Sequence, residues 1–220
     1  MFAVENLHKS FSDKKVLQGC SFSIPDKEIR VLIGRNGVGK STLLKIITGI
    51  LYPDSGDVLL NQRSLLRDPT EKRRVGYVPQ SSALFPHLTI RDNVAYALKN
   101  GRGKEEEIDT ILTHLDLHEY EQAYPYQLSG GYRARVALGR ALFSNPAIML
   151  LDEPLTEVDH AKKTEMLPEF KKILQELSIP VLYITHDPRE AALIGTSFMA
   201  MDANGVALVN SAEEAFSFIQ

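Results

Sequence analysis

The residues Gly34-Arg35-Asn36-Gly37-Val38-Gly39-Lys40-Ser41 satisfy the pattern G-x-x-x-x-G-K-[S/T] in full, with Thr42 directly after. Glycines at these positions let backbone N–H groups turn inward around phosphate oxygens. A helix expected to start near Lys40 adds its positive end. The Lys40 ammonium can neutralise charge on the β- and γ-phosphates, and the Ser41 hydroxyl can ligate Mg²⁺. The alternative is a glycine-rich turn that binds nothing. The context argues against it, because an apolar run, Arg30 to Ile33, precedes the loop and a helical pattern, Ser41 to Ile50, follows.

A second acidic site lies downstream, where Leu151-Asp152-Glu153-Pro154 closes another apolar run. Carboxylates at the carboxyl end of such a strand lie in the crevice where open α/β sheets bind ligands. Asp152 can hold the shell of a Mg²⁺ ion. Glu153 has no evident partner in the sequence; beside a γ-phosphate it can polarise an attacking water as general base. Taken alone, the pair reads equally well as turn residues. The phosphate loop upstream decides for chemistry.

The elements that must position these groups follow from the hydrophobic pattern. Runs at 30–33, 147–151 and 181–185 are continuous, apolar and of strand length, separated by helical patterns. They predict a parallel sheet covered on both faces. The segments around Phe2–Leu7, Val16–Ile24 and Val58–Leu60 predict ordinary antiparallel strands. From about Leu84 to Ser144 the pattern is mostly helical: one helix from the Thr89/Asp92 capping pair to Asn100-Gly101, one over 108–120, and one capped by Ser129 and running to Phe143. A helix ending over 171–177 should be kinked or restarted by Pro168. Asn204-Gly205 predicts a hairpin, and Ser211 with Glu214 has capping-box spacing for a last short helix.

Leu128-Ser129-Gly130-Gly131 narrows the class. Followed by the run from Arg133 to Leu142 and then by Asp152-Glu153, it resembles the signature region of ATP-binding cassette (ABC) ATPases. The resemblance covers essentially the whole chain. It implies an α/β fold of the P-loop NTPase, ABC ATPase type: a mostly parallel sheet core, an antiparallel β subdomain and an inserted helical subdomain at roughly 84–144. Residues 1–220 then form a single ATPase domain with no C-terminal regulatory domain. It also implies roles. Phe11 stands where an aromatic ring stacks on adenine, and Gly34 to Thr42 hold the phosphates. Gln80 resembles the glutamine that joins Mg²⁺ and the membrane partner, beside Ser41 and Asp152. Thr156-Glu157-Val158-Asp159 resembles the loop after the catalytic glutamate, here Glu153. His186 resembles the switch histidine at the γ-phosphate. Ser129, Gly130 and Gly131 imply a second phosphate clamp that acts on the nucleotide of another copy, in a head-to-tail dimer glued by ATP. Two residues depart from the family pattern. Tyr132 replaces the usual glutamine, and Thr156-Glu157-Val158-Asp159 replaces the commoner Ser-Ala-Leu-Asp. Both bear on turnover rate and on communication across the dimer, and the bulk of Tyr132 falls near the expected interface.

Composition bounds the partners. The chain has 220 residues, 44% hydrophobic and 24% charged, with a net charge of -3, so no bulk electrostatic footprint for nucleic acid exists. No apolar stretch approaches the ~20 residues that cross a bilayer, no secretory signal is visible, and the single Cys20 fits a reducing compartment and a bland core role. A cassette of this kind borrows its membrane spans. The resemblance therefore implies permease subunits as partners, a solute-binding protein indirectly, and a peripheral position on the cytoplasmic face of the membrane. The form of residues 84–94 resembles importer ATPases of the oxyanion group, and residues 71–76, 84–87 and 179–183 look most like molybdate importers. An exporter subunit is the nearest alternative. A soluble cassette ATPase acting on DNA, ribosomes or chromosomes is a further one, disfavoured because no long heptad run separates the phosphate loop from the signature. His114 and His118 have a zinc-compatible spacing, but no further Cys or His lies nearby, and a solvated helix face is the simpler reading.

Overall fold

The computed structural model describes residues 1–218. Two sheets organise them. The first is four-stranded and antiparallel, ordered β2-β1-β4-β5, from β1 (Phe2–Phe11), β2 (Lys14–Ile24), β4 (Ser55–Leu60) and the short β5 (Arg63–Ser64). The second is six-stranded, ordered β10-β9-β3-β8-β7-β6, from β3 (Ile29–Gly34), β6 (Val75–Val78), β7 (Ile148–Asp152), β8 (Val181–Ile184), β9 (Ser197–Asp202) and β10 (Gly205–Val209). Within it β9, β3, β8, β7 and β6 run parallel, and only the β9–β10 hairpin is antiparallel. Every residue of β3, β7 and β8 is buried, as continuous apolar strands covered on both faces must be.

The helices explain that cover. α1 (Lys40–Thr48) packs between the two sheets, its Leu43, Leu44, Ile46 and Ile47 meeting Leu32, Ile148, Leu150 and Leu182 in one apolar cluster. On the opposite face lie α2 (Ile90–Val94), α3 (Ile108–His114), α4 (Gly130–Phe143), α5 (His160–Glu176), α6 (Pro188–Ile194) and α7 (Ala212–Phe218), around a second cluster that includes Val31, Met149, Leu151 and Tyr183. Because β3, β7 and β8 are parallel, their carboxyl ends share one edge of the sheet. The turns that leave that edge carry the phosphate loop, Asp152-Glu153 and His186 respectively.

The middle segment is helical but more broken than its periodicity predicts. α2 is one short turn, opened by the Thr89 side chain accepting from the Asp92 N–H, and a 3₁₀ stretch continues it to Asn100, where Gly101 closes it at φ 68. The helix expected over 108–120 stops at His114; Asp116 takes φ 54, and a separate 3₁₀ turn spans His118–Tyr120. Pro168 does not restart α5. The helix runs unbroken from its Asp159 cap, with Pro168 exposed on its outer face. Burial of Met166, Leu167, Phe170 and Leu174 outweighs the ~3 kcal/mol an interior proline costs. At α7 half of the capping box forms: Ser211 Oγ accepts from the Glu214 N–H at 3.1 Å, while the Glu214 carboxylate turns to the Asn210 N–H at 2.7 Å. Cys20 is buried, and burial pushes its thiol up to about 12. His118 Nε2 pairs with Thr113 Oγ1 at 2.9 Å, and no cluster of metal-binding side chains exists among the described residues.

Candidate nucleotide-binding site

The loop between β3 and α1 has the geometry its glycines require. Gly39 sits at the N-terminal cap of α1 with φ 120, a left-handed value that L residues rarely adopt, and a Cβ there would meet Val16 and Leu17 at 3.1 Å. Lys40 is 7% exposed and folds back over the loop, its Nζ donating to the carbonyls of Gly34 at 2.6 Å and Arg35 at 3.1 Å. Burial pulls the Lys40 pKa down, and the charges of Glu153 and Asp152 push back. A lysine whose charged form is disfavoured by desolvation gains from a further anion brought into the cleft.

Asp152 ends β7 and is buried. Burial raises its pKa, Glu153 adds to the rise, and Lys40 opposes it. The Tyr77 hydroxyl on β6 reaches Asp152 Oδ2 at 3.5 Å, and burial pushes that phenol up to about 12. Glu153 adopts φ 48, an uncommon conformation for a residue with a Cβ, fixed by its N–H bonding the Ile184 carbonyl at 2.9 Å. That turn aims the carboxylate along the sheet edge. Its Oε2 accepts from Gln80 Nε2 at 3.2 Å and from His186 Nδ1 at 2.8 Å, with Thr156 Oγ1 at 3.5 Å. The absence of a partner for Glu153, as read from sequence, is thereby corrected. Gln80 and His186 come from other turns, too far along the chain to be paired in advance, while Thr156 lies three residues on in Glu153's own turn.

Phe11, Asn36, Gly37, Gly39, Lys40, Ser41, Thr42, Gln80, Asp152, Glu153 and His186 line one open cleft of about 600 Å³. Phe11 is 45% exposed at its mouth, with Lys9 Nζ 5.5 Å from the ring centroid. Lys14, at the start of β2, lines the same mouth; a lysine in a short polar hairpin gives no signal that sequence reasoning can use. Gly34 belongs to the β3 end, where its carbonyl holds Lys40. Arg35 and Val38 lie on the outer side of the loop, in a neighbouring groove with Met201 and Asp202.

Ser129, Gly130 and Gly131 are not brought to this cleft. Ser129 holds the cap position of α4, but its side chain accepts no hydrogen bond from the helix, contrary to the capping role read from sequence. Instead the α4 start is fixed by packing. A Cβ on Gly130 would lie 2.2 Å from the Glu157 carbonyl oxygen, so only glycine permits this approach. Arg133 completes the joint by donating to the Leu128 carbonyl at 2.8 Å and pairing with Glu157 at 3.2 Å. Tyr132 is folded back, half-buried, with its ring 4.4 Å from that of Tyr120 and the Arg135 guanidinium 5.6 Å away. Ser129 and Gly131 open on a separate groove beside Lys162 and Glu165.

The oxygen donors around Asp152 also suit a metal. The Ser41 hydroxyl, the Gln80 amide and the Asp152 carboxylate all face the cleft, a hard-oxygen set of the kind Mg²⁺ takes when phosphates supply further ligands.

Residues 17–156 match the ABC transporter family, and the chain belongs to it, carrying the ATP-binding domain of that family on its P-loop α/β fold. The molybdate/tungstate import ATP-binding protein WtpC of Methanocaldococcus jannaschii is 46% identical over 199 residues, covering 89% of this chain and 65% of that protein. The Fe(3+) ions import ATP-binding protein FbpC of Haemophilus influenzae (strain 86-028NP) is 39% identical over 199 residues, covering 87% of this chain and 57% of its own length. The spermidine/putrescine import ATP-binding protein PotA of Spiroplasma citri is 38% identical over 218 residues, covering 97% and 62%. The chain thus spans about three fifths of the length of the curated relatives it matches.

Proposed function

We propose that this chain binds and hydrolyses ATP with Mg²⁺ and drives import through separate permease subunits, at the cytoplasmic face of a membrane. The convergence of Gln80 and His186 on the Glu153 carboxylate, across the cleft from Lys40, carries the reading. In this proposal Lys40 and the N–H groups of the loop hold the triphosphate, and Phe11 offers its exposed ring to adenine. Ser41, Asp152 and Gln80 hold Mg²⁺, which when bound neutralises charge on the β- and γ-phosphates. Glu153 accepts the proton of the attacking water, and His186 and Gln80 orient that carboxylate. Ser129 and the glycines after it clamp the nucleotide of a second copy, docked head to tail. Their distance from the chain's own cleft supports this, as does the Ser129 hydroxyl's lack of a capping bond within its helix.

Among solutes we favour an oxyanion such as molybdate, delivered by a binding protein to the permease. The 46% identity to the molybdate/tungstate relative supports it, while iron, polyamine and sulfate relatives at 35–39% identity stand for the alternatives. The test is affinity purification of the tagged chain from its native membrane, followed by ATPase assay of the complex with its binding protein. Stimulation by molybdate or tungstate supports the reading. Stimulation by ferric ion or spermidine but neither oxyanion refutes the choice of solute, and a chain that recovers no integral membrane partner refutes the transport role.

A further inference from the structure

Behind the cleft lies a buried charged cluster that the proposed chemistry does not use. Glu190, in the first turn of α6, is 2% exposed. One of its carboxylate oxygens accepts from the hydroxyl of Tyr183, a fully buried residue of β8. The other accepts from Lys163 Nζ at 2.9 Å, in the first turn of α5. Lys163 also stands 3.8 Å from Asp187, the residue whose side chain caps α6 through the N–H groups of Arg189 and Glu190. Desolvation and the Glu190 charge hold the Tyr183 phenol protonated, so it remains a donor.

An apolar trio of the same volume would pack these elements at least as well, because burying two opposite charges costs more in desolvation than their attraction commonly returns. What the cluster adds is direction. Glu190 points its two oxygens at two different elements at once: β8 leads into the turn that carries His186, and α5 leaves the loop that follows Glu153. Tyr183 precedes His186 by three residues, Glu190 follows it by four, and Lys163 follows the Thr156–Asp159 loop by four. The His186 ring itself is poorly held, since its side chain is 62% exposed and, among the described residues, its hydrogen bond to Glu153 is what fixes it toward the cleft. Its placement therefore depends on the backbone of its turn, which is gripped on both sides by this cluster.

We infer that Lys163, Glu190 and Tyr183 are positioning residues that set His186 against Glu153 and tie that contact to the start of α5. The inference rests on the hydrolytic reading above for its consequence in turnover, though not for the placement of His186. The test compares Lys163→Met, Glu190→Gln and the double variant with the parent. Each single change strands a buried partner and lowers the melting temperature, whereas the double change removes both charges and recovers most of it. In the recovered double variant, calorimetric ATP affinity stays within about threefold, because the phosphate loop is untouched, while kcat falls about tenfold or more as the His186–Glu153 geometry loosens. Its His186 ¹⁵N signals shift in the nucleotide-free chain, and Lys163→Arg keeps them near the parent's. Tyr183→Phe, which deletes one oxygen, shifts the same signals and serves if the charge variants do not fold. Unshifted His186 signals in the double variant, or in Tyr183→Phe if only that variant folds, overturn the inference. Failure of the hydrolytic reading shows separately, as equal turnover by the parent and Glu153→Gln, and leaves the ¹⁵N result to judge the positioning.

Discussion

The phosphate loop is held from behind as well as in front, and Arg73 tests how firmly. This residue is 1% exposed, and its guanidinium donates to three main-chain carbonyls: Nη1 to Ile46 at 2.8 Å and Ile47 at 3.1 Å, and Nε to Asp68 at 3.1 Å. Ile46 and Ile47 lie in the last turn of α1, whose first residue is Lys40. Arg73 thus neutralises the negative end of the helix whose positive end faces the cleft. Arg73→Met removes three hydrogen bonds from a charged donor, at about 1.5 kcal/mol each. Sparing a cation its burial returns part of that, leaving a net loss of about 3 kcal/mol. For a chain of this size each kcal/mol lowers the melting temperature by about 2–4 °C, so the expected drop is about 6–12 °C. Arg73→Lys keeps the charge but loses the fork that reaches two carbonyls, so it should fall between parent and Met. Differential scanning calorimetry of the three proteins at neutral pH decides the matter. A Met variant that melts within about 2 °C of the parent would refute the claim that these contacts hold α1.

Two further outcomes follow from buried titratable groups. The Asp152 pKa is raised above its ordinary 3.8, chiefly by burial and then by Glu153, so the native chain keeps that proton longer than the unfolded chain. Its stabilising contribution is full below the ordinary value and is lost as pH rises through the folded one. Asp152→Asn should therefore raise the nucleotide-free melting temperature at pH 7, with the gain shrinking toward pH 4; a lower melting temperature at pH 7 would contradict this. Cys20, pushed up to about 12 by burial, should resist iodoacetamide at pH 8 until denaturant unfolds the chain, whereas alkylation of the native chain at a free-thiol rate would contradict its burial.

Much of the cleft was legible in the sequence because its parts are local. The glycine-lysine-serine run and the strand-end carboxylates are each decided by neighbours within a few residues, and each forms where the pattern places it, as does the Thr89 cap of α2 outside the cleft. The parallel core was legible because β3, β7 and β8 are uniformly apolar. What escaped is non-local or a matter of packing. Two of the three side-chain partners of Glu153 come from residues 73 and 33 positions away, and its left-handed backbone is set by the Ile184 carbonyl on another strand. Pro168 is tolerated because the buried face of α5 outweighs its local cost. Tyr132, a conspicuous departure in the signature, finds its place against Tyr120, twelve residues back across a turn that periodicity alone did not predict.

Turnover by Glu153→Gln is the decisive observation for the chemistry. The substitution keeps the side chain's size and its capacity to meet Gln80 and His186, but removes the proton acceptor. With Lys40 and Ser41 unchanged, ATP should bind as in the parent, and single-site turnover with Mg²⁺ should fall at least ~10²-fold. Hydrolysis by Glu153→Gln at the parental rate would remove Glu153 from the mechanism, and with it the general-base role proposed for it.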